Sequence, residues 1–324
     1  MGKVLEVKDL VTTFRIGKID YEVLRGVSFD VNENETLCMV GESGCGKSVT
    51  TLSVMDLLPN NGKVVGGSIK INGEELTTLN KKQRNAFRGK QMGMIFQEPM
   101  TALNPLLTVG RQLTEGIRLH KGLSKVDAYN LAVEYLDKVG IANAKVRMKQ
   151  YPFQLSGGLR QRIMIAMVLA IDPSLLIADE PTTALDVTIQ KQVLSLLNKL
   201  KKEMKAGVLF ITHDLGVVAE IADRVIILYS GRKVEEGSIT EIFENPRHPY
   251  TIGLLNAVPN IDKDDFVIQP IPGTFPNITE NIGGCRFHPR CPYSTERCRA
   301  EIPREIQYEE GHYVSCHKVE EESK

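Results

Sequence analysis

The chain has 324 residues, room for one large domain and a small one. Hydrophobic residues make up 42% and charged residues 25%, the balance of an ordinary globular protein, while Lys plus Arg and Asp plus Glu each number 40. The zero formal net charge excludes nucleic-acid binding driven by bulk charge. No signal pattern opens the sequence, because charge begins at Lys3 and recurs, and the longest apolar run, Ile163 to Ile171, is far short of a membrane span. Any role at a membrane is therefore expected to come through a partner.

Val4 to Val7 and Val23 to Val31 carry strand patterns, and Phe14 between them reads on pattern alone as a core ring. Leu37-Cys38-Met39-Val40 is a short buried strand, and it runs into Gly41-Glu42-Ser43-Gly44-Cys45-Gly46-Lys47-Ser48, a G-x-x-x-x-G-K-S phosphate loop. A helix opens at Lys47 and is expected to reach Leu58. In such a turn the glycines let the backbone approach phosphate, and the N–H groups through Val49 at the helix start offer partial positive charge. Lys47 would reach the β- and γ-phosphates, and Ser48 would give a hydroxyl to Mg²⁺. Cys45 sits inside the loop, where modification of its thiol would block a nucleotide.

Ser68 to Gly73 alternates like an edge hairpin strand, and Lys81 to Lys90 is a basic, helix-compatible run that reads as a solvated face. Gln91 to Phe96 is a strand that ends at Gln97, a polar residue at a sheet edge where ligands bind. Leu103 to Gln150 reads mainly as helix and looks like a helical insertion. Leu155-Ser156-Gly157-Gly158 then opens a further helix and offers a second anion-binding helix start, although a plain capped helix has the same pattern. Leu175 to Ala178 is an apolar strand ending in Asp179 and Glu180; Asp179 suits a metal, and Glu180 suits the water that attacks a phosphate. After the loop Thr182 to Asp186 come an amphipathic helix over Val187 to Met204, a buried strand ending at His213, and strands at Val225 to Tyr229 and Lys233 to Glu236 that close the sheet. The fold expected is α/β.

Taken in order, these motifs resemble the ATPase subunit of an ATP-binding-cassette transporter over roughly residues 3–240. The resemblance implies a parallel core sheet, an antiparallel β subdomain and a helical subdomain at about 100–165. By position, Gly41 to Ser48 is the Walker A loop; Gln97 is the Q-loop residue, which senses Mg²⁺; Ser156-Gly157-Gly158 is the family signature. Asp179 and Glu180 end Walker B, Asp186 belongs to the D-loop, His213 is the switch histidine, and Phe14 falls where an aromatic ring stacks on adenine. Leu159 departs slightly from the pattern, since a polar residue often follows Ser-Gly-Gly. In this family two cassettes face head to tail, so each ATP lies between one Walker A loop and the other subunit's signature.

Asn245 to Thr251 and the cysteine-bearing end resemble peptide and nickel importer cassettes, the dipeptide/oligopeptide branch most closely. His248-Pro249-Tyr250 reads as a turn before a helix. The resemblance implies a motor for peptide import, with nickel or another small solute, or a soluble cassette ATPase, as the alternatives. Its implied partners are a second, related ATPase chain, two transmembrane permeases and a substrate-binding protein, with no nucleic acid; its place is the cytoplasmic face of the membrane.

Four of the six cysteines, Cys285, Cys291, Cys298 and Cys316, fall in the last forty residues and define a small domain over 241–324. Their spacings, C-x5-C-x6-C-x17-C, match neither the usual zinc pairs nor ferredoxin runs, so spacing leaves the ligand open. Arg286, Arg290, Arg297 and Arg299 crowd the first three, and such charge would lower thiol pKa values. The family resemblance implies a [4Fe–4S] cluster on the four thiols, with zinc or a disulfide as alternatives.

Overall fold

The computed structural model describes residues 2–98, 102–182, 187–257 and 270–323. Its strands, in chain order, are β1 (Lys3–Ile16), β2 (Ile19–Asn32), β3 (Thr36–Val40), β4 (Gly62–Ile71), β5 (Glu74–Glu75), β6 (Met92–Ile95), β7 (Leu175–Asp179), β8 (Gly207–Ile211), β9 (Arg224–Tyr229), β10 (Arg232–Ser238), β11 (Ile306–Glu309) and β12 (His312–Val314). The chain forms two compact units. One comprises Met1–Leu5, Val31–Glu35 and Lys70–Phe210; the other comprises Glu6–Asp30, Thr36–Ile69 and Ile211–Lys324.

The second unit holds the phosphate loop. β3 lies parallel to β9, with Leu37 opposite Arg224 and Val40 opposite Ile227, and every residue of β3 is buried, as a strand covered on both faces requires. β10 turns back antiparallel to β9. The expected sheet ends at Glu236, but the tail extends it: β12 pairs with β10, setting Glu235 opposite Val314, and β11 pairs with β12. β11 and β12 are four and three residues long; Ile306-Gln307-Tyr308-Glu309 does alternate, but a single four-residue stretch is too short to stand out as a strand. β2, β1 and β4 lie side by side in a separate sheet, where the resemblance implies an antiparallel element. Helix Lys47–Val54 ends four residues before the expected Leu58.

In the first unit β6 and β7 are parallel, Met92 opposite Leu175 and Ile95 opposite Ala178, with β8 beside β7. β4 ends in a hairpin to β5 through Asn72 (φ 49°) and Gly73 (φ 81°), the left-handed pair that a tight hairpin turn needs. The helical stretch resolves into helices Val109–Lys121, Lys125–Lys138 and Ala144–Arg147, followed by Gly157–Leu169. Val109, Leu113 and Ile117 bury one stripe of the first; Ala128, Ala132 and Leu136 bury one of the second. Thr108 and Ser124 cap their N-termini. No helix among the described residues is long and apolar enough to cross a membrane.

The fold class expected from sequence holds for the cassette, but a cysteine-built tail domain does not. All six cysteines are free thiols. The end of the chain is held instead by strand pairing and by a small apolar cluster of Val314, Cys316 and Val319 with Ile306 and Tyr308 packed on it.

Candidate active site

The phosphate loop leaves β3 at Gly41. A Cβ there would lie 2.3 Å from the carbonyl oxygen of Leu228 and 2.7 Å from Cys45 Sγ, so only glycine lets the strand and loop pass so closely. Gly46, at φ 113°, caps helix Lys47–Val54 in a conformation that side-chain-bearing residues rarely adopt. Lys47 is buried, and its Nζ donates to the carbonyls of Gly41 (2.6 Å) and Glu42 (3.1 Å), which folds the cation over the loop. Ser43, Gly44 and Ser48 are exposed, while Val49 is partly covered. Cys45 is wholly buried; burial first of all pushes its thiol pKa up, despite Lys47 nearby. The thiol is thus sealed beneath the loop, a correction to the expectation that it stands open to modification.

Two residues to which the sequence reading gave no part in the nucleotide site, Tyr250 and Arg290, hold this loop. The Glu42 N–H donates to Tyr250 Oη at 2.9 Å. The Glu42 carboxylate accepts two bonds from Arg290, at 2.6 and 3.0 Å, and Arg290 Nε donates to the Pro272 carbonyl at 3.0 Å. Burial would lower the Arg290 pKa, but the bonds to Glu42 and Tyr229 outweigh it and leave the guanidinium above its ordinary value. Tyr250, Phe275 and Phe287 pack around Tyr229 with ring centroids 4.6 to 5.1 Å from it, and a Cβ on Gly44 would meet the Phe275 ring at 3.8 Å. The phosphate loop therefore rests on the C-terminal part of the chain. The His-Pro-Tyr segment, read from sequence as a turn before a helix, is instead the helix start, with His248 as N-cap and Pro249 and Tyr250 in the first turn, and its tyrosine also bonds the loop. A contact 208 residues apart leaves no local pattern to read.

Elsewhere in this unit, Phe14 lies half-buried on β1 against Gly62, where a Cβ would come within 3.0 Å of its ring. His213 is exposed, just before helix Leu215–Ile221, whose cap Asp214 accepts from the N–H groups of Gly216 (2.8 Å) and Val217 (3.3 Å).

In the first unit, Asp179 is the buried last residue of β7. Glu180 follows at φ 46°, left-handed and strained for a side-chain-bearing residue, which turns its carboxylate out of the strand direction. Gln97 Nε2 donates to Glu180 Oε2 at 2.8 Å, so these two predicted residues do meet. Ser156 is the exposed N-cap of helix Gly157–Leu169, accepting from the Leu159 N–H at 3.4 Å. A Cβ on Gly157 would meet nothing within 4 Å and one on Gly158 only Ile189 at 3.6 Å, so the helix start is bare. Gln161 Nε2 donates to the Pro181 carbonyl at 2.6 Å and ties this helix to the turn after Glu180, a link the sequence does not advertise. Asp186 lies outside the described residues.

The expected cluster is not supported. Among the described residues no group of three or more His, Cys, Asp or Glu is arranged to hold a metal ion, iron–sulfur and zinc alike. Nor do the arginines lower the thiol pKa values: Arg290 is spent on Glu42, and Arg297 bonds Glu301, Glu320 and Glu321. Burial instead pushes Cys285 up to about 11 and raises Cys291 and Cys316. The like charge of the other thiols adds to this, so the four do lie within electrostatic reach of one another.

A strand, glycine loop and helix carrying Lys47, together with a strand ending in Asp179 and Glu180, define a P-loop nucleotide-binding protein. Comparison narrows this. The family model "ABC transporter" matches residues 24–183, and "Oligopeptide/dipeptide transporter, C-terminal region" matches 234–298. The chain is 48% identical over 318 residues to the oligopeptide transport ATP-binding protein OppD of Salmonella typhimurium, covering 98% of this chain and 94% of that one. It is 47% identical over 323 residues to AppD of Bacillus subtilis, an oligopeptide transport ATP-binding protein, covering 99% and 98%. A solved ATP-binding cassette, a dimer in a post-hydrolysis state with ADP and Pi, superposes with a TM-score of 0.66 at 28% identity, covering 72% of this chain and 98% of that one. The chain belongs to the ABC transporter ATP-binding proteins that carry the oligopeptide/dipeptide transporter C-terminal region.

Proposed function

We propose that this chain is the ATP-hydrolysing subunit of a peptide importer, peripheral on the cytoplasmic face of the membrane. It works with a second cassette, two permeases and a substrate-binding protein. The observation that carries the reading is the Lys47 loop in a chain that matches oligopeptide transport ATP-binding proteins along almost its whole length. We assign residues 1–240 to the cassette, its helical subdomain at about 100–165, and 241–324 to a tail module. The exposed Leu119, Val126 and Phe153 of the helical region are a fitting seat for apolar permease segments.

In this reading Lys47 moves from the loop carbonyls to the β- and γ-phosphates, and the loop amides from Gly41 to Val49 bind the remaining phosphate oxygens. Phe14 stacks on adenine. The oxygen donors Ser48, Gln97 and Asp179 suit Mg²⁺, a hard cation, which when bound would neutralise phosphate charge. Glu180, oriented by Gln97, positions the attacking water and takes its proton; His213 contacts the γ-phosphate. Ser156 and Gly158 serve the nucleotide of the opposing cassette, and the D-loop Asp186 is assigned beside it. Closure around the triphosphate and release after hydrolysis would drive the permeases.

The finer reading of a [4Fe–4S] cluster, or zinc, on Cys285, Cys291, Cys298 and Cys316 has one support, the mutual charge effect of the thiols. Against it stands the lack of a metal-holding group among the described residues. Iron, zinc and acid-labile sulfide assayed on anaerobically purified protein decide it: stoichiometric iron and sulfide support the cluster, and metal-free protein rejects it.

The functional reading is tested with Glu180→Gln in the reconstituted importer. ATP binding is expected to persist while hydrolysis and peptide uptake fall at least a hundredfold, the scale of a lost general base. Turnover near the wild-type rate would remove Glu180 from its role.

A further inference from the structure

A cavity of about 210 Å³ lies in the second unit, away from the phosphate loop residues, lined in part by Ser28, Arg232, Lys233, Arg286 and Ser315. Its cations are not matched by its carboxylates. Lys233 is neutralised, bonded to Glu236 and at 2.8 Å from Glu305. Asp9 is bonded to Ser28, accepting from its Oγ at 3.3 Å. Arg286 Nε donates to Ser230 Oγ at 3.1 Å and its Nη1 to the carbonyls of Glu280 and Ile282, all neutral acceptors. Among the described residues the Arg232 side chain has neither a hydrogen bond nor an ion pair, while its backbone pairs with Tyr229 in the β9–β10 ladder. Arg232 and Arg286 repel each other, and Arg25 repels both; of the acidic groups that act on them, Glu22 is itself paired with Arg25 at 3.3 Å, the Glu280 carboxylate accepts from the Asn277 N–H, and the Cys285 thiol in the cavity wall has its pKa pushed up by burial.

Two guanidiniums partly withdrawn from water, mutually repelling and with no carboxylate bonded to either among the described residues, are a poor way to stabilise a fold. They are a good way to grip a doubly charged oxyanion, since a guanidinium offers parallel N–H donors matched to two oxygens of one acid group. The hydroxyl of Ser315 adds neutral polar lining, while that of Ser28 is engaged with Asp9. We propose that this cavity is a binding site for a small dianionic oxyanion, such as phosphate or a phosphate ester, with Arg232 as its principal anchor. No phosphate-loop residue lines it, although Tyr229 and Phe287 are shared with the aromatic cluster beneath that loop.

The test is calorimetric titration of the full-length protein with inorganic phosphate, with the loop closed to it in two ways: Lys47→Ala, and wild type saturated with Mg²⁺ and a non-hydrolysable ATP analogue. One phosphate site per chain is expected in both. Arg232→Gln should weaken it tenfold or more, the loss expected of a charge-assisted bond, and Arg232→Lys should weaken it less. A parallel titration with succinate separates phosphate from carboxylate chemistry; weaker succinate binding is expected. No phosphate site in either background, succinate binding tighter than phosphate, or unchanged affinity in Arg232→Gln with its circular dichroism intact, overturns the proposal.

Discussion

At the scale of single residues, the phosphate loop is governed by contacts that converge from far along the chain. Lys47, Gly41 and Gly46 were legible because their chemistry is written in consecutive positions. The Arg290 fork on Glu42 was not, because 248 residues separate the partners and neither type is rare on surfaces. Arg290→Met would leave the Glu42 carboxylate, about 30% exposed, without its cation. The expected cost is about 2–4 kcal/mol of stability, toward the lower side of the range for breaking buried pairs, together with a raised KM for ATP. Thermal unfolding and steady-state kinetics check it; an unchanged KM would show that the fork does not shape the loop. Cys45 gives a second expectation. Sealed beneath the loop, it should resist alkylation by iodoacetamide in the native protein while the partly exposed Cys291 and Cys298 react, as peptide mass spectrometry would reveal. Labelling of Cys45 as fast as the tail thiols would contradict its placement.

At the scale of elements, periodicity found what has a period. Helix Val187–Met204 and the strands β7 and β9 fall where apolar spacing put them. The tail hairpin β11–β12 was missed, since a strand of three or four residues has no room for a period and is fixed by pairing on β10. The same junction carries a pH signature. Glu235 is buried and accepts from the N–H groups of Arg247 (2.7 Å) and His248 (3.0 Å), with His312 Nε2 at 2.8 Å. His248 caps helix Pro249–Asn256, its Nδ1 accepting from the Tyr250 N–H at 3.0 Å. Burial depresses its pKa to about 4 from 6.5. A base held neutral in the fold binds fewer protons than in the unfolded chain. Its stabilisation is therefore complete above pH 6.5 and is lost as pH falls from there towards 4, by about 3 kcal/mol at most. Denaturant midpoints across that window should fall with pH in wild type and fall less steeply in His248→Asn; parallel slopes would remove His248 as the cause.

At the scale of the whole molecule, the ordered succession of motifs carried the family, and comparison along the chain bears it out. Metal chemistry was the weak inference, because four thiols near in sequence say nothing of where their sulfurs point. The central claim is that a nucleotide is gripped by this chain's loop and by the opposing cassette's signature. Ser156, exposed on a bare helix start and anchored to the Glu180 turn through Gln161, is the place to probe it. The most direct measurement is ATP turnover by the assembled importer carrying Ser156→Arg, alongside nucleotide binding by the variant chain alone. Turnover lost at least tenfold, with the chain's own ATP affinity unchanged, is the expected result, because the proposed arrangement assigns Ser156 to the neighbour's nucleotide. Undiminished turnover, or loss of this chain's own ATP binding with its fold intact, would contradict the account.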